Sequence, residues 1–238
     1  MTINIKIQSI PHWVQKLPSH SQIYLFGGAI RDGSLNLSAR DYDYLVSGVS
    51  ALELEQAGLI RGYHAFIERF EDPLDIQNEV MRSPFEGDAF KSMQQMLLTR
   101  DLTIHALGLD IRNQTWLDST GKGLNDLEKR VFRRVQDDVC DDPIVLLRWA
   151  RFQEKYKEYG FQMDLESWKM AVSQAQEKHY TQTDPYRLNR QFDLINHSGF
   201  ADKIWNNLKK EGLGEILQEA NDMVLTFKAQ QKTKKPQP

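Results

Sequence analysis

The residues whose types and spacing could do chemistry lie in one run, YLFGGAIRDGSLNLSARDYDYLV, from Tyr24 to Val46. In Asp41-Tyr42-Asp43 the two acids are two apart, and on an extended strand positions i and i+2 share a face. Two carboxylates on one face can hold one divalent ion jointly or bridge two. A pair of ions roughly 3.5–4 Å apart stabilises both the attacking and the leaving oxygen of an in-line displacement at phosphorus. Oxygen-only ligands suit magnesium, and two like charges placed together call for a cation between them. Upstream, Gly27-Gly28 lets the backbone approach a ligand closely, the amides of a following helix attract phosphate, and Arg31 on its first turn can add a charge-assisted contact. Each piece alone is commonplace: Gly-Gly is most often a turn, Asp-x-Asp a solvated strand edge, and Arg31-Asp32 a surface ion pair contributing about 0–1 kcal/mol. A strand, then Gly-Gly, then x-x-Arg-Asp, then an Asp-x-Asp strand is far more specific than its parts.

Positioning these groups requires a strand over Ile23–Phe26, a tight turn, a brief helix from Ala29 to about Leu37 and a second strand over Asp41–Val46. Residues 1–20 read as a strand-like start and a short amphipathic helix around Pro11–Leu17. Residues 50–57 suit a short helix, and Tyr63–Phe70 and Asp75–Met81 suit strands. Ser83–Asp88, with Pro84 and Gly87, reads as a mobile loop. Residues 101–118 look like a helix start leading into a strand, and Gly123–Arg130 like another short helix. Near residue 140 the pattern becomes helical: Ile144, Leu147, Trp149, Phe152 and Tyr156 fall near helical spacing and Gly160 is a stop signal. Further helices fit 165–177, 185–196, 199–211 and 214–228. The fold class is α+β: a head over 1–136 with a mixed or antiparallel sheet and flanking helices, an all-helical segment over 137–228, and a basic tail over 229–238 whose polar composition reads as disordered.

Composition sets the bounds. The chain has 238 residues, 40% hydrophobic and 26% charged, with formal net charge -3, so it is not a cationic nucleic-acid binder overall, although a local basic groove can coexist with an acidic remainder. A single cysteine, Cys140, excludes an intrachain disulfide and reads as a packed thiol. The six histidines are scattered without zinc-ligand spacing. The N-terminus lacks the apolar core of a signal peptide, and no stretch approaches the ~18 apolar residues of a membrane helix. The expectation is a cytoplasmic protein with no membrane partner; oligomeric state is left open.

The run from Tyr24 to Val46 resembles the signature of the class II RNA nucleotidyltransferases, that is, the CCA-adding tRNA nucleotidyltransferases and bacterial poly(A) polymerases. The similarity continues. Thr99-Arg100-Asp101-Leu102-Thr103-Ile104-His105-Ala106-Leu107 is similar to the family's second motif. Trp116-Leu117-Asp118, Gly121 and Gly123-Leu124-x-Asp126-Leu127 match the stretch that closes the head. The run Asp141–Phe152, followed by Gly160-Phe161, resembles the neck helix that reads the incoming base. The resemblance covers residues 22–215 and lacks the family's body and tail. It implies magnesium on Asp41 and Asp43, and triphosphate contacts from Gly27, Gly28 and Arg31. It assigns Arg100 and Asp101 to the ribose and phosphates, and Asp142, Arg148 and Arg151 to the nucleotide. The implied reaction transfers AMP or CMP, from ATP or CTP, to an RNA 3′-hydroxyl such as that of tRNA, releasing pyrophosphate.

Several positions depart from the family pattern. Its neck motif is Glu-Asp-x-x-Arg, with the Asp and Arg pairing to the Watson–Crick edge of C or A; here Asp141 replaces the Glu and Val145 the Arg. Valine can make neither contact, and losing a bidentate contact removes roughly 1–3 kcal/mol of base discrimination. His105 replaces an Asn but still donates one hydrogen bond when neutral. Thr99 replaces an Arg, and Tyr186-Arg187 occupies the Glu-Arg position of a later neck motif. Trp149, Phe152 and Tyr156 read as core rather than as base-stacking groups. Two other functions stay open: a nucleotide- or RNA-binding relative without transfer activity, and a nucleotidyltransferase acting on a non-RNA acceptor.

Overall fold

The structure, a computed structural model, describes residues 10–62, 68–75, 78–82, 89–178, 180 and 182–234. It divides into two units, one ending at Lys129 and one beginning at Arg130.

The first unit is built on a seven-stranded sheet. Its strands are β1 (Gln22–Phe26), β2 (Tyr42–Ser47), β3 (Ile60–Gly62), β4 (Glu68–Glu71), β5 (Asn78–Arg82), β6 (Leu107–Asp110) and β7 (Trp116–Asp118), in the order β3-β4-β5-β2-β1-β6-β7. Only β2 and β5 run parallel; every other neighbouring pair is antiparallel. Alternation sends Ile23, Leu25, Tyr44, Val46, Phe70 and Val80 into one buried core with Trp13 and Val14. There Trp13 meets Tyr44 edge to face at 5.4 Å, the geometry favoured by ring quadrupoles. Arg112 fastens the 3-10 turn His12–Lys16 and its exit to this unit, donating to the carbonyls of Val14 (2.7 Å), Leu17 (3.0 Å) and Pro18 (2.7 Å).

Helix α1 (Gly28–Ser34) follows β1 directly. Helix α2 (Ala51–Gln56) starts at a capping box, with Ser50 Oγ accepting from the Glu53 amide and the Glu53 carboxylate accepting from the Ser50 amide. Helix α3 (Ala89–Leu98) was not expected from the sequence; Met93 and Leu97 bury one turn apart on it, and Ser47 Oγ donates to Met93 Sδ at 3.1 Å, which places α3 on the sheet face opposite the core cluster. Helix α4 (Gly123–Lys129) is capped by Asp118, which accepts from the Gly123 and Leu124 amides. The expected start strand in residues 1–9, the stretch Tyr63–Ile67 and the loop Ser83–Asp88 fall outside the described residues.

The second unit is helical apart from β8 (Val131–Phe132) and β9 (Gln162–Met163), a two-stranded parallel pair. That pairing draws residues 130–136 into this unit, so the boundary falls earlier than the expected position 136. Its helices are α5 (Ile144–Tyr156), α6 (Leu165–Lys178), α7 (Pro185–Asn196), α8 (Ala201–Leu208) and α9 (Gly214–Lys234). Phe132, Phe152, Tyr156 and Phe161 form an aromatic core, with Phe132 stacked on Phe161 at 4.7 Å. Trp149 is fully buried, so these rings are packing groups, as the sequence reading held. The expected stop at Gly160 is a left-handed residue with φ 80°, and Gly212, also at φ 80°, kinks the chain between α8 and α9. Helix α9 continues to Lys234, past residue 228 where the tail was expected to begin. Near its end Ala229, Gln230, Gln231 and Lys232 are strong helix formers, although three of the four are polar. Among the described residues no helix is long and apolar enough to cross a membrane.

Candidate nucleotidyl-transfer site

The acidic pair is asymmetric. Asp43 lies inside β2, across from Phe26 of β1 on one side and Glu79 of β5 on the other. Asp41 stands one residue before β2, with its side chain 64% exposed and Arg40 Nε 3.6 Å away. Sharing a strand face therefore describes Asp43 and only approximates Asp41. Burial, then the charge of Glu79, push the Asp43 carboxyl up to about 6; Asp41 raises it further while Arg100 and Arg69 pull it down. Among the described residues Asp43 has no hydrogen-bond or ion-pair partner, whereas Glu79 accepts from Arg69 Nε at 2.6 Å. Glu79 was not singled out from sequence. It is one acid among many there, and only the parallel pairing of β2 with β5 sets it beside Asp43.

The glycine turn and the acidic strand meet at one point. Gly27 sits at φ 74°, a conformation that side chains rarely adopt, and a Cβ there would lie 3.3 Å from Asp43 Oδ2. The main chain entering α1 thus passes directly over the half-buried Asp43 carboxylate. Arg100 reaches the same place from the end of α3, its guanidinium 5.4 Å from the centre of the Phe26 ring, the residue opposite Asp43.

Arg31 has a different surrounding from the phosphate-facing one its position suggested. It is buried, donating from Nε to Asp32 Oδ1 (2.9 Å) and pairing from Nη1 with His105 Nε2 (3.0 Å), while His105 Nδ1 lies 3.1 Å from Asp101 Oδ1. A guanidinium only donates, so Nε2 must accept and the proton sits on Nδ1, donated to Asp101. His105, read from sequence as a tolerated replacement, is the link that joins the Gly-Gly turn to the second motif. Thr103 donates to Asp126 of α4 at 2.7 Å, and a Cβ on Gly123 would lie 2.7 Å from the Thr103 carbonyl oxygen. The stretch that closes the head therefore braces the turn carrying His105.

In the second unit Asp142 accepts from the Ile144 amide at 3.1 Å, starting α5, and pairs with Arg187 Nη2 at 2.5 Å. Arg148 and Arg151 lie one helical turn apart on α5 and are partly exposed; the Arg151 guanidinium lies 4.9 Å from the Phe152 ring centre. Val145 is buried. Cys140 is buried too, and burial pushes its thiol up to about 11, which suits packing rather than nucleophilic work.

No family model matches the chain. Among characterised proteins, it is 34% identical over 151 residues to the multifunctional CCA protein of Haemophilus ducreyi, spanning 59% of this chain and 36% of that protein. It is 28% identical over 208 residues to the multifunctional CCA protein of Acinetobacter baumannii, spanning 80% of this chain and 48% of that one. The chain thus spans less than half the length of these relatives. Among solved structures, the Thermotoga maritima CCA-adding enzyme complexed with tRNA matches 86% of this chain and 54% of its own with TM-score 0.69 at 18% identity. A CCA-adding enzyme with CTP matches with TM-score 0.71 at 20% identity, over 86% of this chain and 55% of that one. At such identities the structures establish the fold, a mixed sheet with flanking helices followed by a helical region. In sequence the chain is thus similar to proteins named multifunctional CCA protein, and in fold to CCA-adding enzymes, over about half the length of those proteins or less.

Proposed function

We propose that the protein is a metal-dependent RNA nucleotidyltransferase that transfers AMP or CMP from ATP or CTP to an RNA 3′ end of the tRNA type. The observation that carries this reading is Asp43. It is a half-buried carboxylate beneath a glycine turn, flanked by the acids Glu79 and Asp41, with its pKa raised to about 6. A protein keeps such a group at a cost to its stability, and a cation beside it removes the cost. The donors are all oxygen, which fits magnesium. Among the described residues no cluster of three or more His, Cys, Asp or Glu could hold an ion alone. Magnesium is characteristically held by one or two carboxylates together with substrate phosphates.

Asp43 and Asp41 would hold the ions, which when bound would supply activation of the attacking hydroxyl and charge neutralisation of the pyrophosphate. The missing side chain at Gly27 lets the main chain approach the triphosphate close to Asp43, and Arg100 supplies positive charge beside Asp43. Arg31, given to Asp32 and His105, holds the turn in shape from beneath. The RNA 3′-oxygen attacks the α-phosphorus, the bond from that phosphorus to the bridging oxygen breaks, and pyrophosphate leaves. Most of the rate enhancement comes from positioning and fixed charge. Asp142, Arg148 and Arg151 are assigned to the nucleotide.

The test is incubation with each labelled nucleoside triphosphate, magnesium, and tRNA ending before or within CCA. Gel-resolved extension by C or A is the expected result; magnesium-dependent nucleotide binding with no extended product would leave a binding relative instead.

A further inference from the structure

We infer that the groove between α7, α8 and α9 is a nucleobase-binding site. It uses none of the residues assigned above to transfer, and the inference does not rest on that reading.

The groove has a volume of about 270 Å³. One water needs only ~10–15 Å³ on this measure, and pockets for drug-sized ligands begin near ~300 Å³, so the space suits one ring system rather than an extended chain. Its walls follow from helical spacing. Asp202, Trp205 and Lys209 recur three and four residues apart along α8 and just past its end, and Gly214, Leu217 and Asn221 do so on α9. Gly212, at φ 80°, kinks the chain between the two helices, and both faces line the one groove.

The lining joins aromatic surface to carboxamides. Trp205 is half-buried, with its ring centre 4.9 Å from that of Phe192 and the two planes tilted by 46°. Its Nε1 donates to Asn196 Oδ1 at 2.9 Å, which fixes the indole and leaves the two N–H groups of the Asn196 amide uncommitted. Leu217 adds a buried apolar floor. Among the described residues the Asn206 and Asn221 side chains have no hydrogen-bond partner, and Asp202 and Lys209 have no ion-pair partner.

A π face beside side chains that both donate and accept fits a flat heterocycle with donors and acceptors on its rim. Nucleobases are such groups, and proteins hold unpaired ones by stacking on aromatic rings and bonding their edges. Every base has a face to lay on the indole. An Asn amide meets a ring nitrogen with its N–H and a base N–H with its oxygen, so two of them can serve more than one base. Lys209 can meet a phosphate joined to the base, and Asp202 can accept from ribose hydroxyls. A free nucleotide and an unpaired base of RNA present this same chemistry.

The experiment uses the full chain with nitrogen-15-labelled tryptophan, which carries five indole N–H groups. The Trp205 signal is the one lost in Trp205→Phe. Adenosine, AMP, glucose and a short single-stranded oligoadenylate are titrated in chelator, so that transfer plays no part. Adenosine is expected to move the Trp205 signal and to saturate in the millimolar range, the scale of one stacked base. The signals of the fully buried Trp13 and Trp149 should stay in place. Tighter binding of the oligoadenylate than of AMP assigns the base to RNA, and equal or weaker binding assigns it to a free nucleotide; either supports the site. Asn206→Ala combined with Asn221→Ala should weaken adenosine about tenfold with the melting temperature unchanged. A Cβ at Gly214 would meet Lys209 Cγ at 4.0 Å, an ordinary contact, so Gly214→Leu keeps the helix and fills the groove. Adenosine binding should be lost in that protein while its melting temperature holds or rises. A Trp205 signal that adenosine leaves in place, that glucose moves as far, or that responds undiminished in the doubly substituted protein overturns the site. Undiminished binding in Gly214→Leu does so too. None of these results depends on tRNA extension, which succeeds or fails on its own test.

Discussion

Each unit holds a carboxylate drawn away from water, Glu154 buried and Asp43 half-buried, and the two are treated in opposite ways. In the helical unit Glu154 on α5 is met by Lys203 Nζ at 2.5 Å and by the Asn207 side-chain amide at 3.0 Å. In the sheet unit Asp43 has Glu79 and Asp41 as neighbours and no hydrogen-bond or ion-pair partner among the described residues. Cations are not scarce there: Arg31 is given to Asp32 and His105, Arg69 to Glu79, and Arg112 to backbone carbonyls. A buried acid supplied with its own partners serves the fold, whereas a half-buried acid deprived of them serves something that arrives later.

The widest expected effect breaks this comparison on the functional side. Asp43→Ala should lower tRNA extension by at least about a thousandfold, the order lost when a main electrostatic element of a transfer site is removed, while circular dichroism and the melting profile stay those of a folded protein. Near-normal extension would show that the unpartnered acid has no part in transfer.

How much of this contrast was legible in the sequence follows from chain distance. Gly27-Gly28, Arg31-Asp32 and Asp41-x-Asp43 are local, so their residue types announce a turn over an acidic strand. The helical spacing from Ile144 to Tyr156 was equally open to reading, because one helix imposes one period. The unread features depend on distant pairings. Glu79 joins Asp43 through a parallel register, His105 reaches Arg31 across 74 positions, and Arg187 reaches Asp142 across 45. Side-chain type at either end gives no sign of such partners. Helix α3 was missed for another reason: Pro84 and Gly87 just before it read as loop, and its buried Met93 and Leu97 make too short a stripe to outweigh them.

The second test sharpens the comparison through stability. The Asp43 carboxyl is raised from 3.8 to about 6, so the folded state holds that proton more tightly than the unfolded chain. In the metal-free protein the stability contributed by this group is therefore lost as pH rises from about 4 to 6 and is not regained above. Asp43→Asn carries no charge and escapes the penalty. It should be more stable than the unmodified protein at pH 7–8 by about 1–3 kcal/mol, with the difference vanishing below about pH 4. Urea unfolding in chelator across pH 4–8 measures this, and added magnesium should shrink the gap by stabilising only the unmodified protein. A destabilised Asp43→Asn at neutral pH would mean that the carboxylate is a structural partner after all.

The same isosteric change in the other unit should have the opposite sign. Glu154→Gln keeps a group able to accept from Asn207 but removes the charge facing Lys203, so it should destabilise by about 0.5–2 kcal/mol at pH 7. Chelator and magnesium should leave that value unchanged. Equal signs for the two substitutions in urea unfolding would erase the distinction between a provisioned and an unprovisioned acid.

The smallest effect separates burial from mere pairing. Asp193 and Lys228 join α7 to α9 at 2.8 Å, the same kind of contact as that of Glu154 with Lys203, but with side chains 40% and 42% exposed. Water solvates both charges when the pair opens, so Coulomb attraction there is small and is offset by the side-chain entropy lost in holding it. Lys228→Gln should therefore change stability by no more than about 0.5 kcal/mol at low salt. The difference should disappear by about 0.5 M sodium chloride, where screening acts within a few ångströms. The cost of Glu154→Gln should persist at that salt concentration, because the Glu154 side chain is only 5% exposed. If both costs faded together with salt, burial would not be what sets Glu154 apart. The contrast with Asp43 would then rest on the number of neighbouring charges alone.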